Sequence, residues 1–207
     1  MESQRDALAV AQLALLRTMA ALDPAPFVMG GYAEDALLAG SVTRPHADVD
    51  WLVPRAELEL RLEQAAGLGF EGFETWGEAA PGVPFYLSAD RGDLRLEIGV
   101  LDELAGEHWI CVHKLFFEVD GTEPPAGYRV LMPPDTFAHP RARLDGIAIP
   151  VVSPLALYQL RAGIAHMGSF GPLSDRQRGT LELLRARFFP ERAESDLLPR
   201  IEPLADD

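Results

Sequence analysis

The chain has 207 residues, 48% of them hydrophobic, and a formal net charge of −14. This composition indicates a folded protein with one substantial core, with or without a small helical lobe, and excludes a disordered chain. The acidic balance argues against a nucleic-acid partner and is compatible with a cationic small molecule. The sequence has no long apolar run, no basic leader and a single cysteine, Cys111, so we expect a cytoplasmic protein without a membrane partner.

The first predicted element is a helix over residues 5–22, a stretch rich in alanine and leucine without glycine or proline. Two prolines within residues 23–26 end this helix. A short apolar run over 27–29 predicts a strand. Two glycines, Gly30 and Gly31, then lead into a predicted helix over 32–39.

A pair of carboxylates precedes the next predicted strand. The polar link 41–47 leads to Asp48 and Asp50 and then to the apolar run 51–53. Side chains alternate along a strand, so Asp48 and Asp50 point the same way. Two carboxylates so placed repel each other unless a cation lies between them, and Mg²⁺ with a bound phosphate relieves that repulsion.

The glycine pair fits the same chemistry. Gly30 and Gly31 allow a backbone to approach a ligand closely, and the N–H groups at the start of the following helix favour an anion. An anion-binding turn followed by a metal-binding carboxylate pair predicts a site for a nucleoside triphosphate with Mg²⁺. Arg44 and His46, in the polar link, are predicted to support the phosphates or to orient Asp48.

The middle of the chain predicts a helix over 55–67 and then strands over 70–76, 85–89 and 94–101, with a hairpin turn at 90–93. In the strand 94–101, Arg95, Glu97 and Gly99 share one face, and aliphatic residues occupy the other. Further strands are predicted at 108–112 and 114–119, and turns at 122–125 and 132–134. The three histidines of this region are predicted to be structural or surface residues: His108, His113 and His139.

The last part of the chain predicts a strand over 147–152 and two helices, 155–165 and 174–188, joined by a link over 168–172. Ser153 and Pro154 form a helix-start signal, with a capping hydroxyl followed by proline at the first helical position. Ser174 or Asp175 is predicted near the start of the second helix.

Two ordered motifs carry a family resemblance. The chain resembles the nucleotidyltransferase superfamily that includes DNA polymerase β, and is most similar to the small aminoglycoside and lincosamide nucleotidyltransferases. The matching residues are Gly30-Gly31-Tyr32-Ala33 and Arg44-Pro45-His46-Ala47-Asp48-Val49-Asp50. The resemblance is close over 27–53 and weaker over 84–100 and 147–187.

The resemblance implies an α/β (α+β) fold, in which a small mixed sheet with flanking helices is followed by a short C-terminal helical lobe. We therefore expect a nucleotidyltransferase core over 1–152 and a helical lobe over 153–207. The resemblance also implies a third carboxylate on a neighbouring strand. Glu97 matches that position, although relatives usually have aspartate there, and Asp93 is the alternative. Arg161, on the first helix of the lobe, matches a phosphate-binding cation.

The implied activity is Mg²⁺-dependent transfer of a nucleoside monophosphate, AMP from ATP, to a hydroxyl of an aminoglycoside or lincosamide-type antibiotic. Asp48, Asp50 and Glu97 would hold metal, Glu97 would act as general base, and Gly30, Gly31, Arg44, His46 and Arg161 would bind the nucleotide. Two alternatives stay open: a non-catalytic nucleotide-binding regulator or antitoxin of the same fold, and a transferase that acts on RNA or on a protein, of which the acidic balance argues against RNA.

Overall fold

The computed structural model describes residues 2–104, 106–112, 114–115, 128–166 and 173–203. His113, the predicted turn at 122–125, the predicted link at 168–172 and most of the predicted strand 114–119 lie outside these residues.

Helices flank a sheet that is largely antiparallel. The α-helices in the described ranges are α1 Glu2–Ala20, α2 Gly30–Leu38, α3 Leu58–Gly67, α4 Pro154–His166 and α5 Asp175–Phe188. Short 3₁₀ helices span Arg55–Glu57 and Glu194–Leu197. The strands are β1 Phe27–Met29, β2 Val49–Pro54, β3 Glu74–Ala80, β4 Val83–Arg91, β5 Leu94–Leu104, β6 Glu107–Val112, β7 Lys114–Leu115, β8 Tyr128–Met132, β9 Ala142–Leu144, β10 Ile147–Ile149 and β11 Arg200–Pro203. None of the described helices combines the length and apolarity needed to cross a lipid bilayer.

The long strand β5 organises the sheet. Its first part pairs with β2 in parallel and with β4 in an antiparallel hairpin, and its last part pairs with β6. β1 lies antiparallel to β2, β3 and β7 extend the sheet beyond β4, and β8 and β11 extend it beyond β6. β9 and β10 form a separate hairpin. Because β2 and β5 are adjacent, residues far apart in sequence share one short stretch of the sheet.

The faces of β2 and β5 divide into a core face and a site face. Six apolar side chains on the core face are at most 1% exposed, namely Val49, Trp51, Val53, Leu96, Ile98 and Val100. α1 contributes to this core, where the indole N–H of Trp51 donates to the sulfur of Met19 at 3.3 Å. Burying each such side chain contributes roughly 1.5–3 kcal/mol. The strand period of two therefore turns Asp50 and Glu97 to the opposite face.

The predicted helices are present, with shifted ends. α2 begins at Gly30, directly after β1, and not at residue 32 as the sequence predicted. A 3₁₀ turn over Arg55–Glu57 precedes α3, where the sequence predicted one continuous helix. The helix-start signals are confirmed, since α4 begins at Pro154 after Ser153, and Ser174 forms a capping box with Gln177 at the start of α5.

Two strand predictions and one turn prediction need correction. A strand over 70–76 is wrong, because Phe70 is fully buried outside the sheet, where its backbone N–H donates to Ala65, and β3 starts at Glu74. The predicted strand 147–152 is shorter, since β10 ends at Ile149 and Val151 forms an isolated bridge to Val28. The residues predicted as a turn at 132–134 include Met132, the last residue of β8.

The predicted α+β fold class, a mixed sheet with flanking helices and C-terminal helices, is confirmed. The division of the chain at residue 152 stays a prediction. The C-terminal segment is not purely helical, because β11 returns to the sheet and pairs with β8.

Candidate active site

Three carboxylates meet on the site face of the sheet. Asp50 on β2 is the direct partner of Glu97 on β5, and Asp48 lies just before β2. One carboxylate oxygen from each of the three lies within 4.8 Å of the others. Asp93 lies exposed in the β4–β5 turn and is not part of this group. The parallel pairing of β2 with β5 thus selects Glu97 as the neighbour of the aspartate pair.

The cluster concentrates negative charge in a partly buried place. Burial raises the pKa of Asp50 well above its usual range, and the charges of Asp48 and Glu97 raise it further. Burial and the charge of Glu97 also raise the pKa of Asp48. Arg161 partly offsets this effect at Asp50. Such a cluster is most stable as a neutral acid or around a cation.

Glu97 is held by two neighbours that the sequence analysis did not assign. The hydroxyl of Tyr86 donates to Oε2 of Glu97, and Nε of Arg95 donates to Oε1 at 2.9 Å. Arg95 also donates to the hydroxyl of Ser88 at 2.9 Å. Arg95 could have been found because it precedes Glu97 by two residues on the same face. Tyr86 could have been found from the hairpin register, which pairs it with Gly99.

The β1–α2 junction requires glycine at two positions. Gly30 has a φ of +64°, and a Cβ atom there would overlap the carboxylate of Asp50. A Cβ atom on Gly31 would overlap the ring of His46 and lie 2.9 Å from Nη2 of Arg44. The residue before α2, Met29, provides no side-chain cap for the first N–H groups of the helix. The junction therefore presents backbone donors close to Asp50, as an anion-binding turn would.

His46 fixes the link that precedes β2. Its ring is buried, with Nε2 2.8 Å from Oδ2 of Asp35 on α2. Asp35 also accepts hydrogen bonds from the backbone N–H and the hydroxyl of Thr43, at 3.0 and 2.5 Å. Burial alone would raise the pKa of Asp35, but the hydrogen bonds from His46 and Thr43 lower it overall. This contact holds the ring of His46 against α2, and both predicted roles for His46, supporting the phosphates or orienting Asp48, stay predictions.

A buried glutamate joins the two predicted phosphate-binding arginines. Glu34 on α2 is 5% exposed and accepts a hydrogen bond from Nε of Arg161 at 2.9 Å. Nη2 of Arg44 lies 3.6 Å from its other oxygen. Glu34 was missed because its place within the motif helix gives no sign of a long-range partner. The phosphate roles of Arg44 and Arg161 stay predictions.

The predicted site residues line one cavity of about 710 Å³. Its walls include the carboxylate cluster, both glycines, Arg44, His46 and Arg161, together with Arg95, Tyr86, Trp76 and Arg176. The three-dimensional structure thus brings all eight predicted site residues to a single cavity. It also adds aromatic and basic side chains from the β3–β4 hairpin, β5 and α5.

Two solved structures of the aminoglycoside nucleotidyltransferase ANT(2'')-Ia have a similar fold. The crystal structure in complex with adenylyl-2''-tobramycin is 16% identical, with a TM-score of 0.59 over 88% of this chain and 91% of that chain. The solution structure, described as an antibiotic-resistance factor, is 18% identical, with a TM-score of 0.57 over 88% and 86%. No protein-family model and no curated protein matches the sequence. The resemblance to the nucleotidyltransferases is confirmed at the level of the fold.

Proposed function

We propose that this protein is a Mg²⁺-dependent nucleotidyltransferase that transfers AMP from ATP to a hydroxyl of a small molecule, an aminoglycoside or lincosamide-type antibiotic. The observation that carries the proposal is the meeting of Asp48, Asp50 and Glu97 beside the glycine junction of Gly30 and Gly31. The similar fold of an aminoglycoside nucleotidyltransferase supports the reaction class and the type of acceptor.

The carboxylate cluster fits Mg²⁺. It offers three oxygen ligands of the kind that this ion prefers, within 4.8 Å of one another. The raised pKa values of Asp48 and Asp50 reflect burial and mutual repulsion, which a divalent cation would relieve. Bound there by Asp48, Asp50 and Glu97, Mg²⁺ would neutralise negative charge on the triphosphate.

In the transfer step, an oxygen of the acceptor hydroxyl forms a bond to the α-phosphorus of ATP. The bond from that phosphorus to the oxygen bridging the α- and β-phosphates breaks, and pyrophosphate leaves with the electron pair. Glu97 takes the proton of the acceptor hydroxyl. Tyr86 and Arg95 hold its carboxylate in place for this, because both donate hydrogen bonds to it.

The phosphates of ATP would be bound at the β1–α2 junction. Backbone N–H groups at the start of α2 provide donors, and Arg44 provides positive charge from the neighbouring link. Arg161 provides a second cation from α4, and its contact with Glu34 fixes the guanidinium in the cavity wall. We place the core of the enzyme at 1–152 and its C-terminal lobe at 153–207, with the cavity between them.

The proposal is tested by incubating the protein with Mg²⁺, each of the four ribonucleoside triphosphates, and a panel of aminoglycosides and lincosamides. We expect a product heavier than one acceptor by one nucleotidyl group, together with an equal amount of pyrophosphate. ATP binding by calorimetry without any modified acceptor would contradict the proposal and favour the non-catalytic regulator. Mass spectrometry of protein acceptors in the same mixture would detect the macromolecular alternative.

A further inference from the structure

An apolar recess extends the cavity beyond the carboxylates. On the site face, Leu52 lies two residues after Asp50 on β2, and Gly99 lies two residues after Glu97 on β5. Leu52 and Gly99 are direct partners across the two strands. Two residues along a strand correspond to about 6–7 Å. The recess is lined by Met29, Leu52, Gly99, Ile110, Val130 and Leu157. A ligand whose reacting atoms lie at Asp50 and Glu97 therefore meets apolar walls on this side.

The absence of a side chain at Gly99 lets the side chains of Met29 and Leu52 pack closely over β5 in the floor of the recess. A Cβ atom there would lie 3.0 Å from Cε of Met29 and 3.1 Å from Cδ1 of Leu52, closer than ordinary packing. Gly99 lies in the interior of β5, at a position without a positive φ. Glycine at such a position weakens a strand and marks a place of close approach.

One polar atom of this cavity, Oε1 of Gln159, has no hydrogen-bond partner in the described part of the chain. Gln159 on α4 lines the cavity and is 9% exposed. Its Nε2 donates to the backbone oxygen of Leu198 at 3.4 Å, whereas its Oε1 is buried without a hydrogen bond in the described part of the chain. A buried carbonyl oxygen without a partner costs roughly 1–3 kcal/mol. A ligand that donates an N–H or O–H group to Oε1 would remove that cost.

We propose that this recess is a ligand subsite for an uncharged, largely apolar ring body that donates one hydrogen bond to Gln159. The inference rests on the proposed function. It narrows the ligand to an uncharged group. Among the described residues that line the cavity, the carboxylates are the three of the cluster, Asp48, Asp50 and Glu97. With Mg²⁺ bound there, the recess offers no further negative charge for the amino groups of a polycation.

Two parts of the reactants have this chemistry. The adenine of ATP is a flat ring whose amino group donates hydrogen bonds. A lincosamide carries several hydroxyl groups and a basic amine, and its apolar part is the alkyl-substituted pyrrolidine ring, which lies beside an amide N–H donor. Gln159 on α4 and Gly99 on β5 line the same cavity from different elements, so variants at the two positions test the cavity independently.

The test measures three affinities by calorimetry in the presence of Mg²⁺. The ligands are ATP, inosine triphosphate, and lincomycin added together with a non-hydrolysable ATP analogue. Inosine triphosphate has a carbonyl oxygen where ATP has the amino group. The variants are Gln159→Met and Gly99→Ala. Gln64→Met, on α3 outside the cavity, is the matched control. Gly99→Ala leaves Gln159 intact, so the test holds even if Gln159→Met folds poorly.

If adenine occupies the recess, Gln159→Met lowers the affinity for ATP about 10-fold and the affinity for inosine triphosphate far less. If the acceptor occupies the recess, Gln159→Met lowers the affinity for lincomycin about 10-fold, and both nucleotides bind as they do to the wild type. In either case Gly99→Ala lowers the affinity for the same ligand, and Gln64→Met leaves all three affinities unchanged. The inference is overturned if folded Gln159→Met and Gly99→Ala bind all three ligands as the wild type does. These binding results stand even without transfer activity, so failure of the subsite and failure of the proposed function are distinguishable.

Discussion

Asp50 is the residue at which stability and proposed function oppose each other. Burial, Asp48 and Glu97 raise its pKa, so its carboxyl group contributes stability while protonated. A group with a raised folded-state pKa stabilises the protein below its unfolded pKa, and this stability is lost as the pH rises through the folded value. The ionised form that would bind metal is thus the form that destabilises the metal-free protein.

Asp50→Asn removes one of the repelling charges while keeping the shape of the side chain. In EDTA we expect the melting temperature of the variant to exceed that of the wild type by a margin that grows as the pH rises from 4 to 8. At pH 7 the variant should melt higher, by about 2–4 °C for each kcal/mol gained. Asp93→Asn, in the exposed turn, is the control and should follow the wild type. Parallel pH curves for wild type and Asp50→Asn would show that the cluster is not repulsive.

Tyr86→Phe tests the support of Glu97. The variant keeps the ring but loses the hydroxyl that donates to the carboxylate. We expect kcat to fall about 10-fold, while the affinity for ATP measured by calorimetry stays unchanged. Tyr158→Phe, on α4 away from the cavity lining, is the matched control. An unchanged kcat in Tyr86→Phe would show that the hydroxyl of Tyr86 does not support Glu97 in the reaction.

Elements whose signals are local were well predicted from the sequence. The strand before the glycines, the β4–β5 turn and both helix-start serines follow from nearby residues. Glu97 could be proposed only by resemblance, because its position beside Asp50 depends on the parallel pairing of β2 with β5. β11 could not be predicted, since its pairing with β8 depends on tertiary contacts. The partners of Glu34 were likewise hidden, because they come from another helix and the link.

The β1–α2 junction is the element whose geometry allows the least change. In Gly31→Ala the new methyl group would meet the ring of His46 and the guanidinium of Arg44. We expect ATP affinity to fall at least 10-fold by calorimetry, because Arg44 and the first turn of α2 must shift. Gly179→Ala is the control, because a Cβ atom at Gly179 on α5 meets nothing within 4 Å. Wild-type ATP affinity in a folded Gly31→Ala variant would reduce the junction to a simple turn.

At the scale of the whole molecule, Glu34 and Arg161 connect the motif helix α2 to the C-terminal helix α4. α2 also contacts α5, and β11 attaches the end of the described chain to the sheet. The cavity wall is therefore built from both ends of the sequence. A contact that is needed only for this assembly should be distinguishable from one that also binds nucleotide.

A double-mutant cycle makes that distinction. Among the described contacts, Arg161→Gln leaves the buried carboxylate of Glu34 with the longer one to Arg44, so we expect a loss of about 1–3 kcal/mol in stability. The double variant Glu34→Gln/Arg161→Gln should recover most of that free energy of unfolding, which chemical denaturation measures. The affinity for ATP should stay low in the double variant, because the cation is gone. Recovery of ATP affinity in the double variant would make Arg161 purely structural.

The central claim is that Asp48, Asp50 and Glu97 together carry out nucleotidyl transfer. The most direct measurement compares wild type, Glu97→Gln and Asp93→Asn for ATP binding and for nucleotidylated product by mass, with Mg²⁺ and an acceptor of the wild type. We expect Glu97→Gln to bind ATP yet to lose product formation about 10²–10⁴-fold, whereas Asp93→Asn should match the wild type. Full product formation by Glu97→Gln, or its loss in Asp93→Asn alone, would contradict the central claim.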